Sequence, residues 1–208
     1  TASGDLPFIG PNCYGFANFF DRVALWPDQV TGSQLERGVA FIAQSGTISI
    51  SMMSQRRSLP LGYVISLGNQ QRLAAEDLIR YCAEDERVSA IGLYLEGILD
   101  LPKFIAAIDY ARTLGKPIAL IKAGSSEKGR SAANTHTGAL TGSDSLHDAL
   151  FERLGIARCE TLSSLVETLK LLHCFGPLPS KRILVFGASG GDMAMVSDSA
   201  SKLDLDFS

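Results

Sequence analysis

The stretch Val39-Ala40-Phe41-Ile42-Ala43, ended by Gln44-Ser45-Gly46, decides the reading of this chain. Five apolar residues in a row, two of them β-branched, predict a buried strand rather than a half-exposed one. Thr47 to Ser58 follows with helical character, and Pro60 and Gly62 punctuate its exit. The pattern then repeats. Tyr63 to Ser66 reads as strand, closed by Leu67-Gly68-Asn69, and Ala74 to Ala83 as helix, with Leu78, Ile79 and Cys82 on one face. Ala90 to Leu95 and Ile118 to Ile121 are further strands, separated by a helix from Leu101 to Leu114 that stops at Gly115. Beyond a Gly/Ser-rich loop from Gly124 come a helix from Ser143 to Leu154, capped by Ser143 or Asp144, a short strand from Ile156 to Cys159, and a helix from Ser163 to Cys174.

Strands alternating with helices require crossovers, and crossovers make parallel neighbours covered on both faces. The fold class expected is therefore α/β, a doubly wound parallel sheet over residues 35–175. Residues 1–34, with Gly10-Pro11-Asn12 and Trp26-Pro27-Asp28, read as a loop-rich lead-in from a preceding domain. Gly176-Pro177-Leu178-Pro179 reads as a linker. After it, a strand at Ile183 to Phe186, the turn Gly187-Ala188-Ser189-Gly190-Gly191 and a helix from Asp192 read as a single strand–helix unit, too little to fold alone.

Composition narrows the function. The 208 residues are 46% hydrophobic and 20% charged, and 19 basic against 22 acidic side chains leave a net charge of −3, which disfavours nucleic acid or an anionic membrane as partner. No apolar run reaches membrane length, and no signal peptide is expected. Cys13, Cys82, Cys159 and Cys174 are scattered without CxxC or Cys/His ligand spacing, so neither a metal site nor a disulfide framework is expected, and a reducing cytoplasm fits. The chain opens Thr-Ala-Ser-Gly, without methionine, and is expected to be a piece of a longer polypeptide.

In doubly wound sheets, ligands collect beyond the carboxyl ends of the strands. Here those ends are Gln44-Ser45-Gly46, Leu67-Gly68-Asn69, Glu96-Gly97 and Lys122-Ala123-Gly124, all rich in glycine and polar groups. Of three histidines, His147 and His173 sit in amphipathic helices and read as structural or solvated. His136 differs, because Asn134-Thr135-His136-Thr137-Gly138-Ala139 surrounds it with small residues. A bulky reactant can approach such an imidazole, which titrates near neutrality and can be nucleophilic. Its local composition alone leaves a functional and a structural role equally open.

Thr135-His136-Thr137-Gly138-Ala139-Leu140-Thr141-Gly142-Ser143-Asp144 closely resembles the phosphohistidine segment of ADP-forming (NDP-forming) acyl-CoA synthetases, relatives of succinyl-CoA synthetase. Gly10-Pro11-Asn12-Cys13-Tyr14-Gly15, Gln44-Ser45-Gly46, Ser66-Leu67-Gly68-Asn69, Tyr94-Leu95-Glu96-Gly97-Ile98 and Lys122-Ala123-Gly124-Ser125-Ser126-Glu127 resemble further motifs of that family, in the same order. The resemblance implies a flavodoxin-like domain over residues 35–175, with residues 1–34 leading in from a preceding CoA-binding domain and residues 181–208 expected to be the incomplete beginning of a further, similar α/β domain. It also implies that the histidine, here His136, transiently holds a phosphoryl group while a carboxylic acid, CoA and ATP become an acyl-CoA through an acyl phosphate. A phosphohistidine carries nearly two negative charges, and a helix N-terminus offsets such charge with free N–H groups and about half a positive charge. Ser45-Gly46-Thr47 is the candidate terminus. Glu96 is expected to orient the His136 ring by accepting a hydrogen bond from one of its nitrogens. Asn12, Gly68 and Asn69 are expected near the acyl or CoA end, and Lys122 beside them, meeting a phosphate or pairing with a surface acid.

The family often carries Ala-Leu-Gly after its Ser-Gly turn, whereas Thr47-Ile48-Ser49 follows here. The CoA-binding and ATP-grasp domains that the resemblance implies are not matched in these residues, so they are expected as partners, fused or as a separate subunit, in an oligomeric enzyme. CoA and ATP or ADP with Mg2+ are then substrates of the complete enzyme, with none held tightly by this chain and no metal site. Two rivals exist. The turn at Gly187 to Gly191 resembles a dinucleotide-binding turn but lacks the G-x-G-x-x-G spacing of an oxidoreductase. A non-catalytic sensor module, of the kind fused to acetyltransferases, shares the fold but keeps no reactive histidine.

Overall fold

The computed structural model describes residues 6–125, 144–201, 203 and 205–207. They divide into two compact units, meeting at Gly176 and Pro177. In the first unit the strands are β1 (Gly15–Asn18), β2 (Val23–Leu25), β3 (Gly38–Ala43), β4 (Leu61–Ser66), β5 (Val88–Leu95), β6 (Ile118–Lys122) and β7 (Ala157–Arg158). The helices are α1 (Gly46–Met53), α2 (Ala75–Glu84), α3 (Leu101–Thr113), α4 (Asp144–Arg153) and α5 (Leu162–Phe175).

These strands form one sheet in the order β2-β1-β4-β3-β5-β6-β7. From β4 to β7 every pairing is parallel, as the alternation of strands and helices requires. β3, β4, β5 and β6 are buried almost throughout, because helices cover both faces. Ala40, Ile42, Leu93 and Leu120 pack on one side with Ile79, Phe104, Ile108 and Phe151 of α2, α3 and α4. Val39, Phe41, Ala90 and Ile121 pack on the other with Met52 of α1 and Leu165, Val166 and Leu169 of α5. Phe41, Phe104 and Phe151 are among the largest fully buried side chains, each burying enough apolar area for about 3 kcal/mol or more.

The structure departs from the sequence reading in three places. Residues 15–25 are a two-stranded hairpin, not loop, and they extend the sheet antiparallel beside β4. Its turn is made locally: the Asn18 side chain accepts hydrogen bonds from the backbone N–H groups of Phe20 and Asp21. Strands of four and three residues are too short to display the alternation that marks a half-buried strand. The hairpin is then tied down. Arg87 pairs with Asp21 at 2.8 Å and Asp85 at 2.8 Å, its guanidinium lies 4.7 Å from the Phe20 ring centre, and Asp85 also accepts from the Tyr63 hydroxyl at 2.8 Å.

Helix α1 ends at Met53 rather than Ser58. The hydroxyls of Ser49 and Ser51 bond back to the carbonyls of Ser45 and Thr47, and Gln55 Oε1 accepts from Arg57 N–H, which turns the chain out of the helix. In the second unit β8 covers only Arg182–Ile183, pairing in parallel with β9 (Asp206–Phe207), and α6 spans Gly190–Ser201. Leu184 and Phe186, expected inside that strand, are exposed. No described helix is long and apolar enough to cross a membrane, and no group of three or more His, Cys, Asp or Glu among the described residues could hold a metal ion.

Candidate functional site

Ser45 leaves β3 in extended conformation (φ −94°, ψ 123°) and caps α1, its hydroxyl accepting from Ile48 N–H at 3.4 Å. The Ser45 carbonyl receives Ser49 N–H, the first helical bond. Among the described residues the backbone N–H groups of Gly46 and Thr47 have no acceptor, so the positive end of the helix remains open. Gly46 is required sterically: a Cβ there would lie 2.2 Å from Tyr14 Cδ2. The Tyr14 ring thus lies against the start of the helix, 5.7 Å from the Trp26 ring.

The strand β4 ends at a second tight turn. Gly68 has φ +60°, and a Cβ on it would fall 2.3 Å from the Pro11 carbonyl oxygen and 2.5 Å from that of Asn12. This close approach lets the segment 8–14 lie along the turn. Asn69 N–H donates to the Pro11 carbonyl at 2.9 Å, Gln71 N–H to Gly10 at 3.0 Å and Leu73 N–H to Phe8 at 3.2 Å. Asn12 Nδ2 donates to Asn69 Oδ1 at 3.3 Å, and Tyr14 N–H to Ser66 Oγ at 3.1 Å.

The third component is Glu96, the first residue past β5. Its peptide is held by neighbouring side chains, whereas its half-buried carboxylate has no hydrogen-bond partner among the described residues. That charge, after burial itself, helps keep the Tyr94 hydroxyl protonated above its usual range.

Asn12, Tyr14, Ser45, Gly46, Thr47, Gly68, Asn69 and Glu96 line one cavity of about 360 Å³, with Cys13 and Gln44. Seven of these are positions singled out from the sequence, brought from four segments to the carboxyl edge of the sheet. Sequence reasoning overlooked three lining residues. Tyr14 and Cys13 adjoin Asn12, but the contact of Tyr14 with Gly46 at the start of α1 joins residues distant in sequence. In the sequence Gln44 is only the first residue of a turn, with nothing to mark its side chain as a lining group.

Lys122 does not join them. Only 5% exposed, it donates to the carbonyls of Glu96 at 2.8 Å and Ala123 at 2.6 Å, and it makes no ion pair among the described residues. Burial, and then the nearby Arg158 cation, hold its ammonium below the usual lysine range. Lys122 lines instead a separate cavity of about 490 Å³ with Arg158, Asp144, Asp148 and Cys159, in which Arg158 is paired to both aspartates. His136 and the surrounding 126–143 lie outside the described residues.

A doubly wound domain with an open helix terminus and a carboxylate at one sheet edge is a class of architecture suited to handling anionic groups. The particular family follows from comparison. Residues 36–172 match the succinyl-CoA ligase like flavodoxin domain, and the chain belongs to this family. It is 34% identical, over 96% of its length, to the acetate–CoA ligase [ADP-forming] II subunit alpha of Pyrococcus furiosus, covering 43% of that protein. It is 30% identical, over 98% of its length, to the acetate–CoA ligase [ADP-forming] of Methanocaldococcus jannaschii, covering 29% of it. The structure of the dinucleotide-forming acetyl-coenzyme A synthetase 1 of Ca. Korarchaeum cryptofilum, in complex with phosphate and ADP, aligns with a TM-score of 0.86 at 28% identity, over 96% of this chain and 43% of that one. The chain therefore spans less than half the length of these relatives.

Proposed function

We propose that this chain is the phosphohistidine-bearing part of an NDP-forming acyl-CoA synthetase, making an acyl-CoA from a small carboxylic acid, CoA and ATP. The observation that supports it most is the shared cavity, lined by Gly46 and Thr47, whose N–H groups have no acceptor among the described residues, and by Glu96, whose carboxylate has no hydrogen-bond partner among them. One offers positive potential for a phosphoryl group, the other an acceptor for an imidazole N–H.

The chemistry that fits runs in three displacements. A ring nitrogen of His136 attacks the γ-phosphorus of ATP, so that an N–P bond forms and the P–O bond to ADP breaks. A carboxylate oxygen of the acid then attacks phosphorus, the N–P bond breaks, and an acyl phosphate results. The CoA thiolate attacks the acyl carbon and inorganic phosphate leaves. Glu96 accepts a hydrogen bond from the second ring nitrogen, holding the tautomer in which the first is free to attack. The start of α1 stabilises the phosphoryl oxygens without being a competing nucleophile. Asn12, Gly68 and Asn69 form the far wall, where the acyl group or CoA would enter. Mg2+ would accompany the nucleotide on an ATP-grasp domain, and CoA would sit on a CoA-binding domain, fused or in a separate subunit of an oligomer.

The test is a labelling experiment on the complete protein. Incubation with γ-labelled ATP is expected to give an acid-labile, base-stable phosphate that is lost in His136→Ala. A folded, intact protein that takes up no label would instead be a non-catalytic sensor module.

A further inference from the structure

We infer that Gln44 and Lys122 are positioning residues for the proposed reaction, a two-sided clamp on the Glu96-Gly97 backbone that aims the Glu96 carboxylate. The inference rests on the proposed role of Glu96.

A strand that outruns its neighbours leaves backbone groups without ladder partners. The last sheet-like bonds on either side of β5 are Gln44 N–H to the Tyr94 carbonyl at 3.0 Å and Ala123 N–H to the Leu95 carbonyl at 2.8 Å. Past them, four polar backbone groups of residues 96 and 97 need partners. Two side chains serve all four. Gln44 Oε1 accepts from Glu96 N–H at 2.5 Å and from Gly97 N–H at 2.9 Å, while its Nε2 donates to the Gly97 carbonyl at 2.6 Å. Lys122 Nζ donates to the Glu96 carbonyl at 2.8 Å. The sheet order makes this possible, because β3 and β6 flank β5, with Gln44 directly following β3 and Lys122 the last residue of β6.

Both side chains are nearly excluded from water, at 6% and 5% exposed. Lysine is among the residues least often found at such a depth, since burying an ammonium is costly. A hydrophobic residue would fill the position without that cost. The amine divides its donors between the Ala123 carbonyl at 2.6 Å and the Glu96 carbonyl at 2.8 Å, and the second bond ties the Glu96–Gly97 peptide to the end of β6. With the peptide held on both sides, the carboxylate alone is left for a reactant.

Because the orientation of a hydrogen-bond acceptor governs transfer, a shift of about 1 Å can cost on the order of 10²-fold in rate. The test measures turnover of the complete synthetase for Lys122→Met, Gln44→Met, Glu96→Gln and the two double variants. Lys122→Met and Gln44→Met are each expected to lower kcat by roughly 10–100-fold, with KM for CoA and for the acid within about twofold of the parent. In the Glu96→Gln background either change is expected to add less than about twofold, since an aim has no value once the carboxylate is gone. Normal kcat in both single variants, or losses that multiply with that of Glu96→Gln, would overturn the clamp. Full activity of Glu96→Gln would overturn the role of Glu96 itself, a separate result. If Gln44→Met does not fold, the Lys122→Met cycle carries the same decision alone.

Discussion

Replacing Gly68 by alanine separates two costs that glycine avoids. At φ +60° an L-residue costs about 1–2 kcal/mol more than glycine. The added Cβ would also stand 2.3 Å from the Pro11 oxygen, so the 10–13 segment must retreat by about 0.7 Å to reach 3.0 Å, below which real Cβ contacts are essentially absent. That retreat strains the bond from Asn69 N–H to Pro11, which contributes about 1 kcal/mol. Together these give a loss of about 2–3 kcal/mol, or a fall in Tm of roughly 4–12 °C for a unit of this size. Gly115 provides the control: its φ is +68°, but nothing lies within 4 Å of its would-be Cβ, so Gly115→Ala carries only the conformational cost of about 1–2 kcal/mol. The chain has one tryptophan, and Trp26 packs beside Tyr14 in the first unit, so urea unfolding followed by its fluorescence reads the relevant part. Equal losses in Gly68→Ala and Gly115→Ala would refute the close approach as a source of stability.

Further expectations follow from the site and from the hairpin anchor. Glu96→Gln is expected to slow phosphohistidine formation by on the order of 10²–10⁴-fold without altering the unfolding curve, measured by rapid quench; turnover at the parent rate would make Glu96 a bystander. The Arg87 guanidinium beside Asp85 holds that carboxyl at about 2, against an ordinary value of 3.8. A depressed carboxyl stabilises the fold above its unfolded value and loses that contribution as pH falls towards the folded one. Between pH 5 and pH 2 the parent should therefore lose about 2 kcal/mol more than Asp85→Asn. Parallel loss in the two proteins would assign the acid sensitivity to other groups.

The central strands were legible because β3, β4, β5 and β6 are apolar enough to announce burial on both faces, and Gly115 marks a helix end by its positive φ. The hairpin was not, since Gly15–Asn18 and Val23–Leu25 are held mainly by partners distant in sequence, among them β4 and Arg87. For the same reason the gathering of Ser45, Gly68 and Glu96 at one cavity could be anticipated from topology alone, each lying past a strand end. The direction of Lys122 could not. Whether a lysine at a strand terminus turns to solvent or inward to a carbonyl depends on which backbone groups its neighbours leave unsatisfied, and that is a tertiary property.

The antiparallel hairpin also fixes where this domain can be cut. The family match begins at residue 36, yet β1 is the strand that hydrogen-bonds the outer side of β4. A shortened chain starting at that boundary would bare a row of unpaired peptide groups along an apolar strand, a template for self-association. It would also strip Asn12 and Tyr14 from the pocket wall. The working unit of this fold therefore begins upstream of residue 36, where the family match starts, with the covered edge of the sheet and the shape of the pocket both resting on the same short ribbon.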